Sequence, residues 1–126
     1  MGAPFVWYDV ATTSADAETV REFYGSLLGW AIGPNAEPGP YRGWILDGDQ
    51  PWASIVEAGD ASTSGRWIPY VQVDDLDVAV DKATALGATV VTGKADGPAG
   101  TAVTVADPGG ALVALWTPFP EGRAGP

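Results

Sequence analysis

The 126-residue chain contains neither histidine nor cysteine, and these two absences exclude several kinds of chemistry. Without histidine there is no imidazole base, no serine–histidine–acid triad and no histidine ligand for a transition metal. Without cysteine there are no disulfides, thiol nucleophiles or thiolate metal sites. Catalysis or metal binding that depends on imidazole or thiolate is therefore excluded.

Basic residues are scarce as well. Six Lys and Arg residues stand against sixteen Asp and Glu residues, which gives a formal net charge of -10. Such a charge repels phosphodiester backbones and anionic lipid headgroups, so neither nucleic acid nor a membrane surface is expected as a partner. The charge favours a cationic or neutral aromatic small molecule, although acidity also serves solubility alone.

Long apolar runs are missing from the sequence. No stretch of 18 or more apolar residues occurs, and the N-terminal MGAPFVWYDV has neither the basic region nor the apolar region of a signal peptide. The sequence therefore predicts a cytoplasmic protein without a membrane span. Its length suits one compact domain over residues 1–126.

What the sequence does contain is one pattern of strands and helices that occurs twice. A strand, a helix and then about three short strands are predicted over approximately residues 5–57 and again over approximately 66–118. Small and polar residues at 58–65 predict a flexible linker between them. The pattern indicates two βαβββ modules, each of which needs a partner to bury its apolar face.

Both predicted helices have the same start and stop signals. Asp16 precedes the first helix and Gly29 follows it, as Asp75 and Gly87 do for the second. We interpret Asp74, Asp75 and Asp77 as helix-capping groups rather than as cation ligands, because acidic residues are favoured at helix N-termini. An amphipathic first helix is predicted from the apolar spacing of Val20, Phe23, Tyr24, Leu27 and Leu28.

The segments DAETVREFYGSLLGW, YVQVDDLDVAVDKATALGA and DPGGALVALWTP, in this order, resemble those of the vicinal oxygen chelate superfamily. That superfamily includes glyoxalase I, extradiol dioxygenases, fosfomycin resistance enzymes and bleomycin resistance proteins. The resemblance covers Phe5 to Pro118. It implies an α+β fold in which two βαβββ modules form a curled mixed sheet around a concave pocket, and it implies a homodimer.

Metal-using members of that superfamily carry ligands on the first and last strands of each module. The resemblance assigns two ligand positions to Ile68 and Ala114, whose side chains cannot coordinate a metal. A third position falls on Trp7 or on Asp9, according to the alignment. Asp9 and Glu57 remain as oxygen donors that could hold magnesium or calcium weakly. The resemblance thus implies a member depleted of metal ligands, with no metal and no cofactor.

Strand alternation predicts which side chains line the pocket. They are mostly apolar and aromatic with a few polar groups, as is usual for small-molecule sites. For any one tryptophan, the alternative is a place in the core. The predicted ligand-binding residues are Trp7, Asp9, Trp44, Glu57, Ile68, Tyr70, Gln72, Leu112, Ala114 and Trp116.

The role of Asp9 distinguishes two hypotheses for the function of the protein. A carboxylate on an apolar strand face must be hydrogen-bonded, exposed in a cavity or kept neutral. In the first hypothesis, similar to the bleomycin resistance proteins, a metal-independent binding protein sequesters a hydrophobic or cationic aromatic compound. In the second, a metal-independent isomerase, cyclase or epoxide-opening hydrolase uses Asp9 as general acid or base with help from Tyr70.

Overall fold

The computed structural model describes residues 2–33, 42–58 and 60–120. Within them the order βαβββ occurs twice, so the predicted α+β fold with two such modules is confirmed. The elements are β1 (Phe5–Thr12), α1 (Ala17–Leu28), β2 (Ala31–Ile32), β3 (Arg42–Asp47), β4 (Gln50–Glu57), a 3₁₀ turn (Ala61–Thr63), β5 (Arg66–Gln72), α2 (Leu76–Ala85), β6 (Thr89–Asp96), β7 (Gly100–Ala106) and β8 (Leu112–Pro118). Within the described residues, neither helix is long and apolar enough to cross a membrane.

The chain divides into two compact units. The N-terminal unit is Trp7–Ile68, and the C-terminal unit comprises the described residues from Pro69 onward together with the N-terminal residues up to Val6. The boundaries between these units therefore fall inside β1 and β5.

The N-terminal unit contains a four-stranded mixed sheet in the order β2-β3-β4-β1. β1 and β4 run parallel, whereas the other neighbours are antiparallel. One face of the sheet carries a buried core to which α1 contributes Val20 and Tyr24. The core residues on the strands are Val10, Ile45, Ala53 and Ile55. Because side chains alternate along a strand, the opposite face is left for other groups.

A β-bulge changes the direction of one tryptophan in this sheet. The pairing of β3 with β4 shifts between Ile45 and Leu46, at the position of Trp52. A bulge interrupts alternation, and Trp52 accordingly packs against the core on the α1 side. There its ring meets the edge of Trp30 at 5.1 Å, and Trp30 stacks on Tyr24 at 5.2 Å.

The amphipathic first helix is confirmed, but much of its apolar stripe is exposed within this chain. Val20 and Tyr24 pack on the core. Phe23, Leu27 and Leu28 are 55%, 62% and 50% exposed. Gly29 ends the helix with a φ of 70°, a left-handed conformation that glycine adopts without strain.

The first and last residues of the predicted 58–65 linker are hydrogen-bonded to the end of β1. The backbone N–H groups of Ala58 and Gly65 donate to the carbonyls of Thr12 and Ala11, each at 2.8 Å. Between them, the Asp60 carboxylate accepts the backbone N–H of Ser62 at 2.8 Å and so caps the 3₁₀ turn. Local hydrogen bonding of this kind is a common use of Asp and Ser in turns.

The strands of the C-terminal module follow one another in the order β5-β8-β7-β6, and we call them the C-terminal sheet. β5 and β8 run parallel and the other neighbours antiparallel. The core lies between the sheet and α2 and includes Leu76, Val103 and Val105. The α2 helix begins at Asp75, whose carboxylate accepts the Val78 N–H at 3.0 Å, so its expected capping role is confirmed.

The glycine-rich segment 93–100, for which its composition predicts an ordinary loop, is mostly strand. Residues 93–96 continue β6, and Gly100 begins β7. Antiparallel pairing, including Asp96 with Thr101, holds this segment in the sheet despite its low strand propensity.

Candidate functional site

Three neighbouring strands place Asp9, Ser54 and Trp44 in one row across the N-terminal sheet. Asp9 on β1 pairs with Ser54 on β4, and Ser54 pairs with Trp44 on β3. Paired residues project from the same face of a sheet. Since Val10 and Ile55 next to them in sequence belong to the core beneath α1, the row faces away from that helix.

Two indole rings meet over the middle of this row. Trp7 precedes Asp9 by two residues and shares its face, and its ring contacts Trp44 edge to face, with centroids 5.8 Å apart and an interplanar angle of 76°. Ser54, which lies on the strand between them, is fully buried. Because its side chain is small, rings from the two flanking strands can approach each other across β4.

Hydrogen bonds hold Trp7 in this position. Its Nε1–H donates both to Asp9 Oδ1, at 3.0 Å, and to Ser54 Oγ, at 3.1 Å. Asp9 is 3% exposed, and a carboxylate buried to this extent requires hydrogen-bonding partners. Of the alternatives that its sequence position allows, the structure shows the hydrogen-bonded one.

Arg42 supplies the opposite charge. Its Nη1 donates to Ser54 Oγ at 3.3 Å and lies 4.0 Å from Asp9 Oδ1. Its guanidinium carbon lies 5.4 Å from the centre of the Trp44 ring, within cation–π range. We call the group of Trp7, Asp9, Arg42, Trp44 and Ser54 the tryptophan–arginine face.

Glu57, which was predicted to bind the ligand, lies on the other side of the N-terminal sheet. Glu57 follows Ser54 by three positions on β4, so alternation places it with Ile55 on the α1 side of the sheet. Trp52 is also on that side because of the bulge. The structure thus brings together Trp7, Asp9 and Trp44 and separates Glu57 from them.

The remaining predicted residues lie on β5 and β8. Tyr70 pairs with Ala114 and Gln72 with Trp116, so these four share one face of the C-terminal sheet. Leu112 joins them by alternation along β8, opposite the core beneath α2. Ile68, two residues before Tyr70, is 6% exposed. None of these predicted residues is charged.

Arg42 and Ser54 are functional candidates that sequence reasoning missed. The signal for Arg42 is its place in RGWILD, two residues before Trp44, which alternation puts on the same face. The signal for Ser54 is a lone small polar residue inside the apolar strand WASIVE. A buried carboxylate such as Asp9 requires partners of these two kinds.

The donors on the tryptophan–arginine face do not suit a metal ion. Asp9 Oδ1 already accepts an indole N–H and lies 4.0 Å from a guanidinium nitrogen, whose charge would repel a metal cation. Ile68 and Ala114 offer no side-chain donor. No group of three or more acidic side chains within residues 2–33, 42–58 and 60–120 is arranged to hold a metal. Within the described residues, the two positions that the resemblance assigns to metal ligands, Ile68 and Ala114, therefore do not fit a metal ion.

The sequence of residues 9–116 matches the glyoxalase-like domain family. The chain belongs to this family. This glyoxalase-like domain is 36% identical over 117 residues to the "Putative glyoxylase CFP32" proteins of Mycobacterium bovis and Mycobacterium tuberculosis. The match covers 87% of this chain and 44% of each relative, so the chain spans less than half the length of these curated relatives.

Solved structures agree on the fold. Glyoxalase I from Zea mays superimposes with a TM-score of 0.58 at 19% identity, over 98% of this chain and 45% of that one. A glyoxalase/bleomycin resistance protein/dioxygenase superfamily member from Vibrio splendidus gives 0.57 at 15% identity, over 88% and 96%. The match to the glyoxalase-like family and this shared fold together confirm the resemblance to the vicinal oxygen chelate superfamily.

Proposed function

We propose that this glyoxalase-like domain binds an aromatic small molecule on the tryptophan–arginine face, as a metal-independent binding protein of the bleomycin-resistance type. The observation that carries the proposal is the pair of rings Trp7 and Trp44, which meet edge to face over a buried polar base of Asp9 and Ser54. Both rings are partly exposed. Each ring pair that an aromatic compound forms with them contributes about 0.5–1.5 kcal/mol of favourable free energy beyond the burial of its surface.

The hydrogen bonds of Trp7 support a binding role. A ring held by two acceptors loses little conformational freedom when a ligand arrives, so less of the interaction energy is spent on ordering. Trp30, Trp52 and Trp67 differ, because they form ring contacts with one another and with Tyr24 on the α1 side. Trp30 and Trp52 pack against the buried core on that side, as is typical of core aromatics.

Calorimetric titration with a panel of aromatic compounds tests this proposal, because heat does not depend on the tryptophans that are being changed. We expect Trp44→Leu to weaken binding at least about tenfold, which corresponds to about 1.4 kcal/mol. Trp67→Phe is the matched control, since it removes an indole from the opposite side of the sheet, and it should leave affinity within about twofold. Equal losses in both variants would contradict the proposal.

An enzyme on the same face is the second candidate, and the description of the mycobacterial relatives as glyoxylases favours it. Asp9 would act there as general acid or base. The 3% exposure of Asp9 and its bond to Trp7 favour a positioning role instead, so we rank binding first. Recovering each bound compound and measuring its mass and retention time separates the two: an altered compound, no longer produced by Asp9→Asn, would establish the enzyme.

We also propose a homodimer in solution. The apolar side chains of Phe23, Leu27 and Leu28 on α1 are half-exposed or more in the single chain, and soluble monomers seldom leave such side chains contiguous. Light scattering coupled to size-exclusion chromatography should give twice the chain mass of 13.0 kDa. Leu27→Glu should shift it toward 13.0 kDa.

A further inference from the structure

The two charges on the tryptophan–arginine face are unequally exposed. The side chain of Asp9 is 4% exposed, whereas that of Arg42 is 32% exposed, although the two lie 4.0 Å apart. Asp9 is covered by the Trp7 indole that it binds. A molecule that approaches this face therefore meets the guanidinium before it meets the carboxylate.

This arrangement argues against a cationic ligand. An ammonium group would have to approach Arg42 to reach Asp9, and like charges at short range repel each other. Because Asp9 is buried, a ligand cation would also have to lose its hydration to reach the carboxylate. The overall acidity of the chain suggests a cationic ligand. The positions of Arg42 and Asp9 nevertheless disfavour a cation on this face.

The same arrangement suits a carboxylate. A guanidinium is planar and presents N–H donors in a fork that matches the two oxygens of a carboxylate. Arg42 is oriented from one side by Ser54 Oγ, at 3.3 Å, and from another by the Trp44 ring, at 5.4 Å. A ligand whose carboxylate pairs with Arg42 would have its neighbouring atoms beside the Trp44 ring, where an aromatic group can pack.

We infer that the ligand of this face is a small aromatic carboxylate, whose acid group pairs with Arg42 and whose ring packs against Trp44. This inference rests on the proposed binding function and specifies the chemical class of the ligand. The net charge of -10 makes the inference easy to test, because the surface as a whole repels anions and gives them no general advantage.

Three probes with the same ring and different charge provide the test: indole-3-acetate, indole-3-acetamide and tryptamine, each titrated by calorimetry into the full chain. We expect indole-3-acetate to bind at least about tenfold more tightly than the amide, and tryptamine to bind most weakly. Arg42→Gln should reduce the preference for the acid over the amide to less than about threefold. Arg42→Lys should keep part of it, because a point charge replaces the fork.

Arg66→Gln is the matched control, since Arg66 is an exposed strand arginine outside this face, and the preference should be unchanged. Circular dichroism of each variant identifies any that fail to fold, and Arg42→Lys then provides the test in place of Arg42→Gln. Equal binding of the three probes, or tighter binding of tryptamine, would overturn the inference while leaving the proposed aromatic binding in place. Failure of the probes and of the whole aromatic panel to bind would overturn both.

Discussion

The indole of Trp116 occupies the space that a side chain at Gly100 would need. A Cβ atom at Gly100 would lie 2.6 Å from Trp116 Nε1 and 2.8 Å from its Cε2, and it would also collide with the carbonyl oxygen of Thr117. These residues lie where β7 pairs with the end of β8. Glycine is therefore required at position 100 by the packing of β8.

Gly100→Ala should consequently destabilise the protein. Overpacking of this kind costs about 1–3 kcal/mol, and the contact with backbone places the expected loss in the upper part of that range. Urea unfolding followed by circular dichroism measures it. Gly93→Ala in β6 is the control, because a Cβ there meets nothing within 4 Å, and it should change the free energy of unfolding by less than about 0.5 kcal/mol.

The two helix N-termini predict a difference between two similar substitutions. Asp75→Ala removes a side-chain cap on α2 and should cost about 0.5–2 kcal/mol. Asp16 is the N-cap residue of α1 but makes no side-chain capping bond, and its carboxylate accepts the Thr13 hydroxyl instead. Asp16→Ala should therefore cost less. A larger loss at position 16 in thermal or urea unfolding would contradict this account.

Asp9→Asn should lower stability even in the absence of any ligand. It leaves Arg42 without its neighbouring charge and weakens the charge-assisted bond from Trp7, for which we expect a loss of about 1–3 kcal/mol. Asp49→Asn, in the exposed turn between β3 and β4, is the control and should be nearly neutral. If both variants unfold at the same urea concentration as the parent chain, the buried pair does not stabilise the fold.

Acid should weaken the 3₁₀ turn after β4. The pKa of Asp60 lies below its ordinary value of 3.8, because its carboxylate accepts hydrogen bonds from the Ser62 hydroxyl and the Ser62 backbone N–H. A carboxyl group whose pKa is lower in the folded state than in the unfolded state stabilises the fold at pH values above its unfolded-state pKa. This stabilisation is lost as the pH falls through the folded-state pKa.

Asp60→Asn removes this titrating group, so its stability should fall less steeply than that of the parent chain below about pH 4. Urea midpoints measured at several pH values between neutral and acid give the two slopes. Asp81→Asn, which also removes one carboxylate, on the exposed side of α2, controls for the change in net charge. Identical slopes for the parent chain and Asp60→Asn would show that the cap does not contribute.

Local alternation was enough to predict part of the candidate site. β1 spans Phe5–Thr12, as predicted, so Trp7 and Asp9 share a face as expected. The same holds for Leu112, Ala114 and Trp116 along β8. In both strands the residues concerned follow one another without a bulge, and their facing depends only on the chain itself.

The other parts of the site could not be predicted from local sequence, because they depend on pairing between strands that are distant in the chain. Which strand lies beside β1 is a matter of tertiary structure, so Ser54 could not be identified as the neighbour of Asp9, 45 positions away, from local sequence. Trp52 shows the same dependence, because the bulge that redirects it exists only in the pairing of β3 with β4. The exposed part of α1 likewise reflects packing rather than periodicity.

The small side chain at the centre of the N-terminal sheet has a consequence for how such a domain diversifies. Ser54 fixes the distance between two rings that belong to different strands, and it anchors both Trp7 and Arg42. A larger residue there would force the rings apart, and glycine would remove one hydrogen-bond acceptor from each of Trp7 and Arg42. A single substitution at position 54 would therefore change both the distance between the two rings and the orientation of the Arg42 side chain. We expect a change of ligand specificity to begin at this position.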